Sequence, residues 1–299
     1  MSAGGKLDRA GLFHLLIVYV VWGSTYLAIR LAVREGAGFP PFHLAGLRVG
    51  FAAAILLGWA LMRRGRLRLD RPTLILLAGS GLLMWIGGNG LVTWAEKRAD
   101  SGLAALLVAS MPIWMELLEC LVDRRRPTPK TAGSLMIGFS GVALLSWPSL
   151  SAGVTADFWS TIALLAAPLW WGIGSLWYTR RRPKDLDYRV SAGYQHLFGG
   201  MGFLLLILLL QEPRPAPTPT AWGALAYLTL FGSVIAFTSY IRTLQLLPVN
   251  VVMTYAYVNP VIAVFLGWLI LSEPVTTWTL AGSVLVIAGV AGIFNNRES

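Results

Sequence analysis

Pairs of polar and aromatic residues recur at a spacing of four inside apolar stretches of this sequence. Residues four apart lie on one face of a helix. Amides, hydroxyls and aromatic rings on such a face can hydrogen-bond an ammonium or a carboxylate and stack on a side chain. These faces therefore predict a binding site for a zwitterion with an apolar tail. The pairs are Tyr255 with Asn259, Trp22 with Tyr26, and Trp85 with Asn89.

The aromatic residues of these pairs have an alternative interpretation. The chain contains 13 Trp and 9 Tyr. Such residues commonly mark a membrane interface or fill gaps between helices. Each named aromatic is therefore a candidate either for substrate contact or for packing.

Two charged residues within apolar segments are also candidates, because an ionisable group in a membrane is costly. Arg48 could hold a substrate carboxylate, pair with backbone carbonyls or reach the interface. Glu116 could carry a proton for coupling, whereas Glu119 stands close enough to the basic run at 124–126 to form an ordinary ion pair.

The sequence contains no arrangement typical of an enzyme. Its three histidines are scattered, and neither G-x-S-x-G nor H-E-x-x-H occurs. A Walker A pattern is also missing from the sequence. We therefore expect no catalytic residues, no metal and no cofactor, and we interpret the single cysteine, Cys120, as a packing residue.

The composition explains where such residues must act. Hydrophobic residues make up 56% of the 299 positions and charged residues only 13%, about half the charged share of a water-soluble domain, roughly 25%. This predicts an integral membrane protein. The net charge of +10 comes from basic clusters at the ends of apolar runs rather than from a polar face with aromatic platforms, so we expect no nucleic acid partner.

Ten apolar segments are long enough to cross a bilayer as helices. The connections between them are short and rich in Pro, Gly and Arg, so no soluble domain fits between spans. The sequence thus predicts an all-α membrane protein. The spans are 11–33, 41–62, 72–94, 101–122, 130–148, 158–179, 190–211, 220–241, 249–271 and 277–294.

The distribution of basic residues predicts the orientation, since Lys and Arg are enriched in cytoplasmic loops. One side of the predicted layout carries 18 of the 24 Lys and Arg residues and the other carries four, with Arg30 and Arg48 inside spans. Both termini are therefore expected to be cytoplasmic.

The two halves of the chain resemble each other when shifted by about 148 residues. Trp22 then falls near Trp171, which is therefore a further candidate for substrate contact, and Pro112 falls on Pro260. The repeats are 1–148 and 149–299; because each has five spans, they must cross the membrane in opposite senses. An inverted repeat with a helix defect at equal depth in each half predicts alternating access around a central site.

The two prolines each remove a helical hydrogen bond, which would free the carbonyls of Val108 and Ala256. We predict that Pro112 and Pro260 break their helices at the central site. Simple kinks that shape packing are the alternative.

The sequence resembles the EamA-type members of the drug/metabolite transporter superfamily, most closely the YddG-like bacterial amino acid exporters. The resemblance rests on the W-G-S-x-Y start, the mid-span prolines, the "SEPVT" turn and a glycine-rich last span in each half. It implies ten helices, with spans five and ten at the periphery of a central cavity. One departure is Glu273, which has no acidic counterpart in the first half.

These observations predict a secondary transporter that exports aromatic or other hydrophobic amino acids, or similar metabolites, across the inner membrane. The alternatives are an exporter or facilitator of another metabolite or drug, and a channel-like passive facilitator. The expected partners are a small-molecule substrate and membrane lipid. Glycines in spans five and ten could pack within one chain or support a homodimer, so monomer and dimer both remain open.

Overall fold

The computed structural model describes residues 7–63, 67–99, 101–147, 151, 157–271 and 276–295. These residues form helices at ten positions and contain no β-strand. The helices are α1 (Arg9–Val33), α2 (Pro41–Met62), α3 (Arg71–Ala95), α4 (Ser101–Val108 and Met111–Val122), α5 (Pro129–Leu145), α6 (Phe158–Arg181), α7 (Tyr188–Leu209), α8 (Pro219–Leu246), α9 (Val249–Val252 and Tyr255–Leu271) and α10 (Thr277–Asn295).

Eight of these helices are long and apolar enough to cross a membrane. The protein is therefore a multi-pass membrane protein, as its composition predicted. The helices α5, with 17 residues, and α9, in two segments, are shorter in the part of the chain that the structure describes. Every helix nevertheless begins and ends within five residues of a predicted span.

Two helices are interrupted near their middle. In α4 the break falls at Ala109 and Ser110, so that Pro112 lies in the first turn of the second segment, where its missing N–H costs little. In α9 the break falls at Met253 and Thr254, six residues before Pro260, which lies inside the second segment. In α4 the break comes just before the proline, whereas the prediction that Pro260 marks the break is wrong in position for α9. There the Thr254 hydroxyl donates to the Val251 carbonyl at the end of the first segment.

Two helices contain a π-helical segment that the sequence analysis did not predict. These segments are Leu83–Gly90 in α3 and Leu228–Phe237 in α8. The sequence "GGNG" at 87–90 lies in the first of them, and its glycines let neighbouring side chains approach closely. A Cβ at Gly87 or Gly88 would lie 2.6 Å from the side chain of Trp170 or Trp171. π-Helical turns frequently occur at functional sites because they shift side chains out of the regular helical register.

The glycines of α5 and α10 bring these two helices into backbone contact within one chain. A Cβ at Gly289 would lie 2.5 Å from the backbone nitrogen of Gly138, and one at Gly141 would lie 2.6 Å from the nitrogen of Val286. These glycines therefore serve intramolecular packing. The predicted loop residue Glu273 lies outside the described residues.

We expect Gly289→Ala to destabilise the protein by about 1–3 kcal/mol, because the added methyl group meets backbone rather than a movable side chain. Gly133→Ala in α5 is the matched control, since open space surrounds that position. Thermal unfolding in detergent measures both variants. Equal shifts in Tm would contradict the packing role of Gly289.

Candidate functional site

A central cavity lies between α1, α2, α3, α4, α6 and α9. All eight residues predicted to bind substrate line this cavity. Its volume of about 60 Å³ has room for a few water molecules. The eight residues are Trp22, Tyr26, Arg48, Trp85, Asn89, Trp171, Tyr255 and Asn259.

Aromatic rings form most of one wall. The Trp22 ring centroid lies 4.9 Å from that of Tyr255, 5.1 Å from that of Tyr240 and 5.5 Å from that of Trp171. Trp85 extends the cluster, with its centroid 6.1 Å from that of Trp171. Rings at these distances attract one another in tilted or edge-to-face arrangements, so the wall has a defined shape.

Hydrogen bonds fix two of these rings in place. The Trp22 indole donates from Nε1 to the Gly232 carbonyl at 3.0 Å, within the π-helical segment of α8. The Trp171 indole donates to the Tyr240 hydroxyl at 2.8 Å. That hydroxyl also lies 2.6 Å from the Ser175 hydroxyl. The indoles are therefore oriented by α8 rather than by the substrate.

Arg48 is the only charged residue among the described residues that line the central cavity. Its side chain is 4% exposed, and its Nε donates to the Ser233 hydroxyl at 2.8 Å. The guanidinium carbon lies 5.3 Å from the centre of the Trp85 ring. No carboxylate among the described residues pairs with it. A buried cation without an anion carries a large desolvation cost, which a bound anion would offset.

The two asparagines of the cavity differ in their hydrogen bonding. Asn89 lies in the π-helical segment of α3, and its buried Oδ1 accepts no hydrogen bond from any residue that the structure describes. The Asn259 amide, oriented to donate, lies 3.0 Å from the Tyr255 carbonyl oxygen and 3.2 Å from the Tyr19 carbonyl oxygen. Asn259 therefore joins α9 to α1, whereas Asn89 offers an unused acceptor.

The two prolines lie beside the central cavity rather than on it. Pro260 is buried, and its neighbour Asn259 lines the cavity. Val108, whose carbonyl Pro112 was expected to free, also lines it. Pro112 itself lines a second cavity of about 200 Å³, together with Glu116 and Arg125.

Glu116, the predicted proton-coupling residue, forms an ion pair. Arg125 donates from Nη1 to Glu116 Oε1 at 2.6 Å and from Nη2 to Oε2 at 3.3 Å. This hydrogen bond raises the pKa of Arg125. The ion pair expected for Glu119 is the longer one, at 3.8 Å to the same arginine. The role of Glu116 in coupling stays a prediction.

An interhelical ion pair lies near Glu116. Arg180 of α6 donates to Asp123 Oδ2 at 2.7 Å, just beyond the end of α4. This hydrogen bond lowers the pKa of the Asp123 carboxyl. The basic run at 124–126 and the end of α6 thus meet the acidic end of α4.

Several residues of the site were missed by the sequence analysis. Ser233 holds Arg48, Tyr240 holds Trp171, and Pro168 of α6 lines the cavity. Ser233 could have been found from the sequence, because the 148-residue shift between the two halves aligns it with Trp85, a predicted site residue. Tyr240 gave no such signal, since its role depends on the packing of α8 against α6.

Comparison with known proteins gives relatives over nearly the whole chain. The "Uncharacterized inner membrane transporter YedA" of Escherichia coli is 33% identical over 256 residues, which cover 85% of this chain and 80% of that protein. The "Probable terminal-alkyne amino-acid exporter" of Streptantibioticus cattleyicolor is 28% identical, covering 98% of this chain and 95% of that protein.

A solved crystal structure with 21% sequence identity superposes with a TM-score of 0.78, covering 98% of this chain and 99% of that chain. This likeness shows the fold. The family model described as the EamA-like transporter family matches residues 9–147 and again residues 158–295. The chain belongs to the EamA-like transporter family, and its function is membrane transport.

Proposed function

We propose that this protein is a secondary transporter that exports aromatic or other hydrophobic amino acids, or similar small metabolites, across the bacterial inner membrane by alternating access. The observation that carries the proposal is Arg48, a buried cation without a carboxylate partner in the described residues, on a cavity walled by aromatic rings. The planar guanidinium of arginine can donate two parallel hydrogen bonds to a carboxylate, so arginine suits this ligand better than other side chains do.

The cavity provides a complementary group for each part of an amino acid. Arg48 would take the carboxylate, the unpartnered Oδ1 of Asn89 would accept from the ammonium, and the rings around Trp22 would contact the side chain. Because no acidic residue lines the cavity in the part of the chain that the structure describes, the charge of the cavity favours zwitterions and anions over cationic drugs.

Substrate entry requires a change in the cavity. A volume of about 60 Å³ is too small for an amino acid, since a ligand pocket typically measures roughly 300 Å³ or more. Expansion therefore has to separate rings that now touch, among them Trp22 and Tyr255. Alternating access supplies such a movement, because each opening tilts one half of the protein against the other.

Three features support an inverted repeat of five helices each, with residues 1–148 and 149–299 as its halves. The family model matches the chain twice, once in each half. The π-helical segments occur in α3 and α8, and the interrupted helices are α4 and α9. In each pair the two helices are five positions apart in chain order, as a five-helix repeat requires.

The names of the relatives agree with this proposal. One is a probable exporter of an amino acid, and another is an inner membrane transporter. We infer the substrate class and the membrane for this chain from these names together with the chemistry of the cavity.

Uptake and counterflow in proteoliposomes test the substrate class. Phenylalanine, phenethylamine and 3-phenylpropionate share a ring but differ in the charged groups, and nucleobases and cationic drugs complete the panel. We expect saturable counterflow of phenylalanine, a weaker effect of phenylpropionate and none of phenethylamine, because only the carboxylate meets a charge. Flux that rises linearly with concentration would indicate a pore, and preference for the amine would contradict the role of Arg48.

The orientation is tested separately. We expect Lys184→Cys, at an exposed position between α6 and α7, to react with a membrane-impermeant thiol reagent only after the cells are permeabilised. Glu35→Cys, exposed between α1 and α2, is the control and should react in intact cells. Labelling of Lys184→Cys in intact cells would overturn the predicted topology.

A further inference from the structure

Glu96 is a buried acidic residue whose carboxylate has no hydrogen-bond partner among the described residues. Its side chain is 0% exposed, and neither carboxylate oxygen makes a hydrogen bond to any described residue. The residue directly follows α3, where its backbone nitrogen donates to the Val92 carbonyl at 2.9 Å. An ionised carboxylate is very costly in such a place, whereas a neutral carboxyl group is tolerated.

Glu96 lies just beyond one end of the central cavity. Val92, one helical turn before it, lines the cavity, and so does Ile29 of α1. The residue after Ile29 is Arg30, whose Nη1 donates to the backbone carbonyl of Glu96 at 2.7 Å. The ends of α1 and α3 are thus joined over the cavity at the position of an unpartnered acid.

The opposite half of the protein shows the same backbone contact without the acid. Arg182, after α6, donates from Nη2 to the backbone carbonyl of Gln245 at 3.1 Å. The Gln245 amide nitrogen donates to the Tyr178 hydroxyl at 3.0 Å and to the Leu186 carbonyl at 3.1 Å. A neutral, satisfied amide therefore occupies the place that Glu96 takes at the other end. The equivalent contact does not require an ionisable side chain, so Glu96 needs another explanation.

Few charged groups among the described residues act on Glu96. From α1, the Arg30 guanidinium acts on it electrostatically, and Glu96 in turn acts on the phenol of Tyr26, which lines the cavity. On its own segment, Lys97 and Arg98 are exposed to solvent. The described residues of α2 and α6 that pack against this end of α3 place no charge on it. Burial raises the pKa of Glu96 well above its usual range, and Arg30 lowers it by a smaller amount.

We propose that Glu96 is a proton-binding site that closes this end of the central cavity when it is neutral and opens it when it is ionised. On ionisation the carboxyl O–H bond breaks and the proton passes to a water molecule. The carboxylate then requires water as its partner, and water reaches it only when α1 separates from α3. This proposal rests on the proposed function in one respect: the predicted orientation places the Glu96 end of the central cavity outside the cell.

The test measures the opening directly and needs no substrate. Cys120→Ser removes the native thiol, and Ile29→Cys places a reporter in the cavity beside Arg30. Intact cells are labelled with a membrane-impermeant thiol reagent between pH 6 and 8.5. The rate is divided by that of Glu35→Cys in the same background, which corrects for the titration of the thiol itself.

We expect the corrected rate to rise at least fivefold from pH 6 to 8.5, because ionisation opens the outer end. With Glu96→Gln added, the rate should stay low and change less than twofold. Glu96→Asp should restore the rise, since it keeps an ionisable carboxyl group. Asp70→Asn is the matched control, because Asp70 is an exposed acid at the opposite end of α3, and it should leave the rise intact.

Two results would overturn the proposal: a rate independent of pH before Glu96 is changed, or an unchanged rise in Glu96→Gln. A Glu35→Cys reference that does not react from outside would overturn it together with the topology. Failure of amino acid counterflow would remove the proposed substrate but leave the labelling result standing, so the two proposals fail separately.

Discussion

Arg48→Met should abolish amino acid transport while leaving the protein as stable as before, or more so. Loss of two charge-assisted hydrogen bonds to a carboxylate, at about 1.5–3 kcal/mol each, predicts at least a 100-fold fall in transport at low substrate concentration. The free energy of unfolding, in contrast, should stay the same or rise. In the empty protein Arg48 has one side-chain hydrogen bond and the Trp85 ring as compensation for its burial, and apolar replacement of poorly compensated buried charges is often stabilising.

The combination of these two readouts separates binding from packing. If Arg48 were a structural residue, its replacement would lower both the Tm and the transport rate. If it binds substrate, its replacement lowers only the transport rate. Arg189→Met is the matched control, because Arg189 also lies over an indole ring, that of Trp59 at 4.5 Å, but does not line the cavity. Counterflow in proteoliposomes and thermal unfolding in detergent measure the two properties. Normal counterflow by Arg48→Met would remove Arg48 from the site.

Asn259→Ala should reduce transport at least tenfold without unfolding the protein. The amide joins the backbone of α9 to that of α1 through the Tyr255 and Tyr19 carbonyls, beside the break in α9. Gly23 allows this approach, since a Cβ there would lie 3.1 Å from the Asn259 carbonyl oxygen. Removing the amide leaves two buried carbonyls without that donor, which costs about 1–3 kcal/mol per group. The movement of α9 against α1 then loses its fixed geometry.

The control for this variant is Asn250→Ala, which changes an asparagine on the same interrupted helix that lines the second cavity instead. Initial uptake rates and size-exclusion profiles distinguish lost transport from lost folding. Wild-type kinetics in an inserted, monodisperse Asn259→Ala protein would show that Asn259 is not part of the transport site. Equal losses in both variants would indicate a general effect of the α9 break.

Much of the site followed from local sequence patterns. The spacing of four in Trp85 and Asn89, and again in Tyr255 and Asn259, placed each pair on one helical face, and the structure brings these faces to one cavity. Hydropathy predicted the helices themselves because each must satisfy its backbone internally in lipid. The roles of these residues in binding stay predictions.

The partners of the charged residues could not be predicted in the same way. Arg125 lies closer to Glu116 than to Glu119, and Ser233 meets Arg48 from 185 positions away. The burial of Glu96 could not be predicted from the sequence, because the charged residues Lys97 and Arg98 that follow it are typical of an exposed loop. The packing of α1, α2 and α6 against the end of α3 buries its carboxyl group.

The sequence by itself determined that this is a membrane protein of apolar helices with polar and aromatic faces directed inward, because hydropathy and helical periodicity are local properties of the chain. Tertiary structure alone decided where α9 breaks, which helices widen into π-helical turns, and which buried charges find a partner. Those outcomes depend on contacts between residues far apart in the sequence, where small differences in packing choose among hydrogen bonds of similar strength.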